Sequence, residues 1–357
     1  MCRMKTLAAM QAEGHEQVVF FHDQATGLRA IVAIHSTRLG PALGGCRMWP
    51  YRDEEEALHD VLRLSKAMTY KNAAMGLPLG GGKAVIIGDP RKDKSPELFE
   101  AFGRCLERLG GAYITAEDVG TSPEDMLAVQ RMTTHVAGLP GKSGDPSPAT
   151  AYGVYNGIKA CLQHLFGDDS LAGRRVAIQG LGAVGWHLCE HLHKEGAQLI
   201  VTDIFPEKVQ RAVAAFGATA VEPDAIYDVE CDVFSPCALG AVINDSTIPR
   251  LKARIVAGSA NNQLAEARHA EALQERGILY APDFIINGGG VINVAAELAP
   301  GGYDRERAYR QVATIRDKVA RALAMAEERG ISTHQAALLI AEERLARREA
   351  SMATANS

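Results

Sequence analysis

A chain of 357 residues, 47% hydrophobic and 23% charged, has the balance of a soluble globular protein and the length for two ordinary domains. Its formal net charge of −5 and pI near 6.1 supply no basic face, which argues against a nucleic-acid partner. No apolar stretch reaches the roughly 18 residues of a membrane helix, residues 1–14 lack the apolar run of a signal peptide, and seven scattered cysteines without a CxxC pair suit a reducing cytoplasm.

In chain order, 17–21 (QVVFF) and 29–34 (RAIVAI) flank a turn-like HDQATGL and predict a hairpin that opens a sheet. From Asp53 an apolar pattern at helical spacing runs through Ala57, Leu58, Val61, Leu62 and Leu64, with acidic residues in the first turn, where a helix favours them. KAVIIGDP, starting at Lys83, predicts a strand ending in a turn. Residues 95–109 predict a helix capped by Ser95, and AYITAED a strand that carries Asp118 to its carboxyl end. The Gly, Pro and Ser of GLPGKSGDPSP (138–148) mark a domain boundary. Beyond it, 149–166 reads as a helix, RRVAIQG as a buried strand, 183–195 as a helix and QLIVTDI as a second strand, a βαβ unit of dinucleotide-binding size. Short strands at 232–236, 254–258 and 278–282 alternate with helical stretches, and 303–329 and 334–350 read as two long helices split at Gly330. The expected fold is α/β with two domains: an N-terminal α/β domain for catalysis and oligomerisation (1–148) and a Rossmann-type, doubly wound domain (149–330). A C-terminal helix (331–357) is expected to pack back on the first.

GxGxxG alone is a weak signal, but Gly180-Leu181-Gly182-Ala183-Val184-Gly185 follows an apolar strand and opens a helix, and Asp203 ends the next strand. Gly180 permits the tight turn, Gly182 the approach of backbone to a pyrophosphate, and Gly185 close helix–strand packing. The helix N-terminus offers amides to phosphate. Asp203 suits a ribose diol and repels a 2′-phosphate, and no arginine follows it in Ile204-Phe205-Pro206-Glu207, so NAD is favoured over NADP.

The second cluster is Gly80-Gly81-Gly82-Lys83, with Lys71 in MTYK upstream and Asp118 in AEDVG downstream. Glycines let backbone and substrate approach an amine closely, and a lysine that works as a base needs a crowded apolar setting or a neighbouring cation. GGGKAV lacks the spaced glycine and following Ser/Thr of a P-loop. His187 and His191 stand i, i+4 without the HExxH order, so no metal site is expected there; Cys231 and Cys237 lie beside a buried strand, and no redox role is expected of them.

MTYKNAAMGLPLGGGKAVIIGDP, AEDVGTSPEDM, GDPSPATAYGVYNGIKA, SANNQL and APDFIINGGGVINVAAEL resemble the leucine/valine/phenylalanine dehydrogenase family, related to glutamate dehydrogenases, and the resemblance runs from about residue 15 to 345. It implies oxidation of an L-amino acid with NAD to an imino acid, which water converts to a 2-oxo acid and ammonia. It implies that Lys71 holds the substrate carboxylate, that Lys83 is the general base, and that Asp118 handles protons on the substrate nitrogen. Asn261 is expected by the nicotinamide and Asn262 by the substrate. The family's side-chain pocket maps to Leu43, Gly44, Met68, Ala116, Val291 and Val294. All are apolar or small, which excludes a charged substrate side chain on desolvation grounds. Val291 and Val294 narrow the pocket, favouring leucine, isoleucine and valine over phenylalanine, the main competitor within the family. Ala112, Gly288, Met75 and Pro78 depart from the usual pattern; Met75 and Gly288 bear on pocket volume. The resemblance also implies a homo-oligomer, an octamer or a smaller even-numbered assembly. A hydroxy-acid dehydrogenase sharing the Rossmann half, or a non-catalytic NAD-binding protein, are the readings from other classes.

Overall fold

The computed structural model describes residues 6–355, with side chains through 348; Cys2 and the last two residues of the polar tail lie outside the described residues. The chain forms two compact units, one of Met1–Asp145, Val294–Arg305 and Ala341–Ser357, the other of Pro146–Asn293 and Glu306–Ile340. The break at 145/146 falls inside the Gly/Pro/Ser segment. Residues 294–305 group with the first unit and 331–340 with the second, unlike a single boundary at 330.

The first unit runs α1 (Thr6–Glu13), β1 (Gln17–Asp23), β2 (Leu28–Ser36), β3 (Ala42–Trp49), α2 (Glu54–Ala74), β4 (Gly80–Ile87), α3 (Pro96–Glu107), β5 (Tyr113–Glu117) and α4 (Pro123–Gln130). Its sheet has the order β1-β2-β4-β3-β5. β1 and β2 form the expected antiparallel hairpin, β2 pairs antiparallel with β4, and β3 lies parallel to both β4 and β5. β2 reads as an unbroken apolar run because both its faces are covered. Ile31 and Ala33 join Leu58, Val61 and Leu62 of α2, whereas Ala30, Val32 and Ile34 join Phe99, Phe102 and Leu106 of α3. Asp53 caps α2, accepting from Glu56 N at 2.8 Å, and Ser95 caps α3, accepting from Leu98 N at 3.1 Å. Two features differ from expectation. The glycine run is the start of β4 rather than a loop before it, and α2 continues to Ala74, taking in Met68 and Lys71. β3 had no strand signal, because Gly44 and Gly45 dilute its β-propensity.

The second unit adds α5 (Ser147–Phe166), β6 (Arg175–Gln179), α6 (Ala183–Lys194), β7 (Gln198–Thr202), α7 (Pro206–Phe216), β8 (Thr219–Ala220), β9 (Val233–Pro236), β10 (Ile255–Val256), α8 (His269–Glu275), β11 (Leu279–Tyr280) and α9 (Asp283–Ile286). There follow α10 (Gly289–Ala295), α11 (Arg305–Ala313), α12 (Ile315–Arg329) and α13 (Thr333–Ala355). All pairings in its six-stranded sheet, β11-β10-β9-β6-β7-β8, are parallel. Strand order reverses between β6 and β9, so the carboxyl end of β6 is the topological switch point where open α/β sheets bind ligands. Its core gathers Ala177, Ile200, Phe234, Val256 and Tyr280 with Leu251 and Leu273. The stretch read as one helix over 303–329 is α11 and α12, parted at Thr314, whose hydroxyl bonds back to Gln311 O at 2.7 Å. Within the first unit, Arg344 of α13 donates to Ala73 O at 3.0 Å and Leu77 O at 2.8 Å, placing a cation on a last-turn carbonyl of α2 and on the loop just beyond it.

Candidate active site and dinucleotide loop

In the first unit, β4 supplies Lys83 and the turn after β5 supplies Asp118, on either side of β3. The Lys83 ammonium meets Asp118 Oδ2 at 2.8 Å, and the lysine side chain is only 8% exposed. Arg47 of β3 places Nε 3.2 Å from the same oxygen. Its Nη1 reaches Asp60 Oδ2 at 2.9 Å, where the Tyr51 hydroxyl also donates at 2.7 Å, and Arg63 donates to Asp60 Oδ1 at 2.9 Å. Charges therefore alternate along Lys83, Asp118, Arg47, Asp60 and Arg63. Burial would raise the Asp118 carboxyl, but the cations of Lys83 and Arg47 outweigh it and hold that group at about 2. Burial and the Asp60 contact push the Tyr51 hydroxyl well up, so it stays a donor.

Glycine is required where β3 meets its neighbours. A Cβ on Gly44 would lie 1.8 Å from Gly82 O, and one on Gly45 would lie 2.5 Å from Glu117 O and 2.8 Å from Asp118 Cβ. These two positions let β4 and β5 close on β3 so that Lys83 and Asp118 meet. Leu43 is buried, Gly45 pairs in register with Ala116, and Met68 Cγ lies 3.4 Å from where a Gly44 Cβ would stand. Four expected pocket residues, Leu43, Gly44, Met68 and Ala116, thus gather beside the ion pair. Lys71 lies in the last turn of α2, half-buried and one residue past Tyr70. Val291 and Val294 sit three residues apart on α10, Val294 buried and Val291 half-buried. Of the departures, Met75 is buried at the C-cap of α2, Pro78 is exposed, Ala112 O accepts Ala42 N at 2.9 Å, and Gly288 is buried before α10.

Arg47, Asp60 and Tyr51 escaped sequence reasoning because β3 carries no strand signal of its own. Glu117 did too. Burial first, then the negative charges of Asp145, Glu124, Asp118 and Asp125, push its carboxyl up to about 7.

In the second unit, Gly180 has φ +101°, and a Cβ there would lie 2.6 Å from Ala238 Cβ; a Cβ on Gly185 would lie 2.1 Å from Gly180 O. Gly182 faces open space and caps α6 without a side-chain bond, so the first amides of α6, from Ala183 and Val184, are free of a side-chain cap. Leu181 is buried, and its amide donates to Asp203 Oδ2 at 2.7 Å. Asp203 Oδ1 accepts from Phe205 N at 3.0 Å, and Lys208 Nζ stands 4.0 Å from Oδ2. The carboxylate thus braces the loop, and Lys208, five residues on in sequence, brings a cation near it. This glycine turn, uncapped helix end and strand-end carboxylate fit a dinucleotide. Asn261 and Asn262 are exposed. Asn262 adopts φ +51°, which asparagine tolerates, and Asn261 Oδ1 accepts from buried Asn287 Nδ2 at 2.8 Å. Asn287 was another residue missed. His187 bonds Glu190 at 2.8 Å while the His191 ring stacks on Tyr155, so the two imidazoles serve different partners. Cys231 and Cys237 are free thiols, Cys237 Sγ lying 3.4 Å from Ser235 Oγ.

Residues 15–135 match the Glu/Leu/Phe/Val dehydrogenase dimerisation domain, and residues 141–204 and 206–352 match the Glutamate/Leucine/Phenylalanine/Valine dehydrogenase domain. A leucine dehydrogenase of Geobacillus stearothermophilus is 58% identical over 345 residues, 96% of this chain and 94% of the relative. A phenylalanine dehydrogenase of Caldalkalibacillus thermarum is 51% identical over 353 residues, 97% of this chain and 95% of the relative. Among solved structures, L-tryptophan dehydrogenase from Nostoc punctiforme superposes with TM-score 0.85 at 44% identity, covering 97% of this chain and 100% of that one.

Proposed function

Because the chain belongs to the Glu/Leu/Phe/Val dehydrogenase family, we propose that it is an NAD-dependent dehydrogenase that deaminates branched-chain L-amino acids. Leucine, isoleucine and valine are the substrates, and 2-oxo acids and ammonia the products. The observation that carries this reading is the ion pair between buried Lys83 of β4 and Asp118 in the turn after β5, beside a wall of Leu43, Met68 and Ala116. That wall offers no partner to a charged side chain, and an unpaired buried charge costs several kcal/mol.

Lys71 binds the substrate carboxylate. Asp118, ionised across the working range because its carboxyl is held at about 2, attracts the substrate ammonium and relays its proton. Lys83 takes a proton from the water that attacks the imino carbon, and returns it as the C–N bond of the resulting adduct breaks and ammonia leaves. A base accepts a proton only in its neutral form, so oxidative deamination rises toward alkaline pH. NAD, when bound, removes hydride from the substrate α-carbon. Gly180, Leu181, Gly182, Ala183, Val184 and Gly185 would hold its pyrophosphate and Asp203 its ribose diol, with Asn261 toward the nicotinamide and Asn262 toward the substrate.

Phenylalanine is the second reading, favoured by the similarity to phenylalanine and tryptophan dehydrogenases. A panel of amino acids with NAD, and of 2-oxo acids with NADH and ammonium, read at the NADH absorbance, separates the two. Faster turnover of phenylalanine at equal concentration would overturn the branched-chain assignment, and reduction of 2-oxo acids without ammonium would overturn the reaction class. The protein is also proposed to be an even-numbered, cytoplasmic homo-oligomer; light scattering that returns the 38.2 kDa monomer mass would end that proposal.

A further inference from the structure

We propose that Arg47, held by the Asp60 carboxylate that Tyr51 anchors, is a positioning residue that sets how tightly Asp118 holds Lys83. This rests on the role given to Lys83 above.

Two cations share one oxygen. Lys83 Nζ lies 2.8 Å and Arg47 Nε 3.2 Å from Asp118 Oδ2, so the two nitrogens are within about 6 Å of each other. Every unit of negative charge that Arg47 neutralises is withdrawn from the Lys83 ammonium. The guanidinium is fixed at both ends, by Asp118 through Nε and by Asp60 through Nη1 at 2.9 Å. A lysine cannot bridge two carboxylates in this planar manner. Asp60 in turn is anchored by Tyr51 and Arg63. Side chains of Arg47 and Asp60 are 22% and 15% exposed, so water screens the chain of charges only partly.

Arg47 lies on the same face of β3 as Leu43, four residues away in an unbroken register, and pairs with Val85. Its ion pairs go to Asp60 and Asp118, so its link to Lys83 passes through Asp118. The other ionisable groups around the pair are Cys46 on β3, Tyr113 and Glu117 on β5, Lys71 on α2, and the Lys94–Asp125 pair. Cys46 and Tyr113 are fully buried, and burial pushes both upward, so both stay neutral. Arg47, and through it Asp60, are thus the charges linked to the pair by direct contact.

The two links make predictions of opposite sign. In Arg47→Gln, Asp118 turns its whole charge on Lys83, and the alkaline rise of kcat/KM moves to higher pH by about one unit. In Asp60→Asn, Arg47 is released to Asp118, and the rise moves to lower pH. Arg47→Lys, which keeps the charge but not the bridge, falls between wild type and Arg47→Gln. Loss of kcat/KM is on the order of 10–100-fold in Arg47→Gln, as expected when a catalytic group is displaced by about 1 Å. NADH binding and the melting temperature report whether each variant is folded. A merely structural role would lower kcat/KM without moving the midpoint, and unmoved midpoints, or shifts of the same sign in the two variants, overturn the proposal. Should wild type turn over no amino acid, the functional reading fails separately. The Asp118 carboxyl, followed by carbon-13 NMR in aspartate-labelled protein, then decides the matter: it titrates higher in Arg47→Gln if the proposal holds and unchanged if it does not.

Discussion

Replacing Lys83 by methionine keeps the unbranched stem to its fourth atom and removes the amine. The lysine is 8% exposed at the side chain and its nitrogen stands 2.8 Å from Asp118 Oδ2, so methionine fills all of that space but the position of the amine. Asp118 keeps Arg47 as a cation at 3.2 Å and is itself 23% exposed. Loss of one partner of a fully buried pair costs about 3–5 kcal/mol; with a second cation in place and water at the carboxylate, about 1–2 kcal/mol is expected here. The fold survives that loss. Chemistry does not, because a positioned base contributes about 10²–10⁴ in rate, so kcat should fall by about 10³, or about 4 kcal/mol in barrier. The glycine turn and Asp203 belong to the other unit, so NADH affinity, read by its fluorescence, should change less than twofold, roughly within the ±0.5 kcal/mol seen for distant substitutions. Initial rates of NADH formation from leucine at alkaline pH give kcat. Turnover within tenfold of wild type, or NADH affinity falling as far as kcat, would refute the assignment of Lys83 to chemistry rather than to cofactor.

Asp203→Ala should weaken NAD binding and narrow its advantage over NADP, helped by Lys208 at 4.0 Å; an undiminished preference for NAD would show that another residue discriminates. The same change removes the acceptor for Leu181 N and Phe205 N, so part of the loss should appear as a lower melting temperature. Val291→Ala should shift preference toward larger side chains by about 1–3 kcal/mol, the worth of a methylene in such pockets, measured as the phenylalanine-to-leucine ratio of kcat/KM. Glu117 has its carboxyl raised from 4.5 to about 7, so its contribution to stability is whole below about 4.5 and is lost as pH rises through 7. Glu117→Gln should therefore melt higher than wild type at pH 8, with the gap closing by pH 5; a constant gap would contradict the charge argument.

Much of this protein was legible in the chain because its signals are local. The helix start at Asp53, the cap at Ser95, the β1–β2 hairpin and the unit β6-α6-β7 depend on neighbours a few residues apart, and each formed where spacing and residue type require. Lys83 and Asp118 could be named because glycine runs and strand ends mark them, and the resemblance to a family supplied their roles. What the chain did not disclose was pairing at a distance. β3 has a weak local preference and is a strand because β4 and β5 close on it from both sides, which only Gly44 and Gly45 allow. Arg47, Asp60 and Tyr51 acquire meaning only from that closure, since an arginine on a strand without a local signal shows no partner in sequence. The split of 303–329 at Thr314 and the brace that Asp203 gives to Leu181 are of the same kind. Local preference determined which segments are regular and which residues are candidates for chemistry; long-range strand pairing decided which charges share an oxygen, because contact across a sheet depends on register and not on separation along the chain.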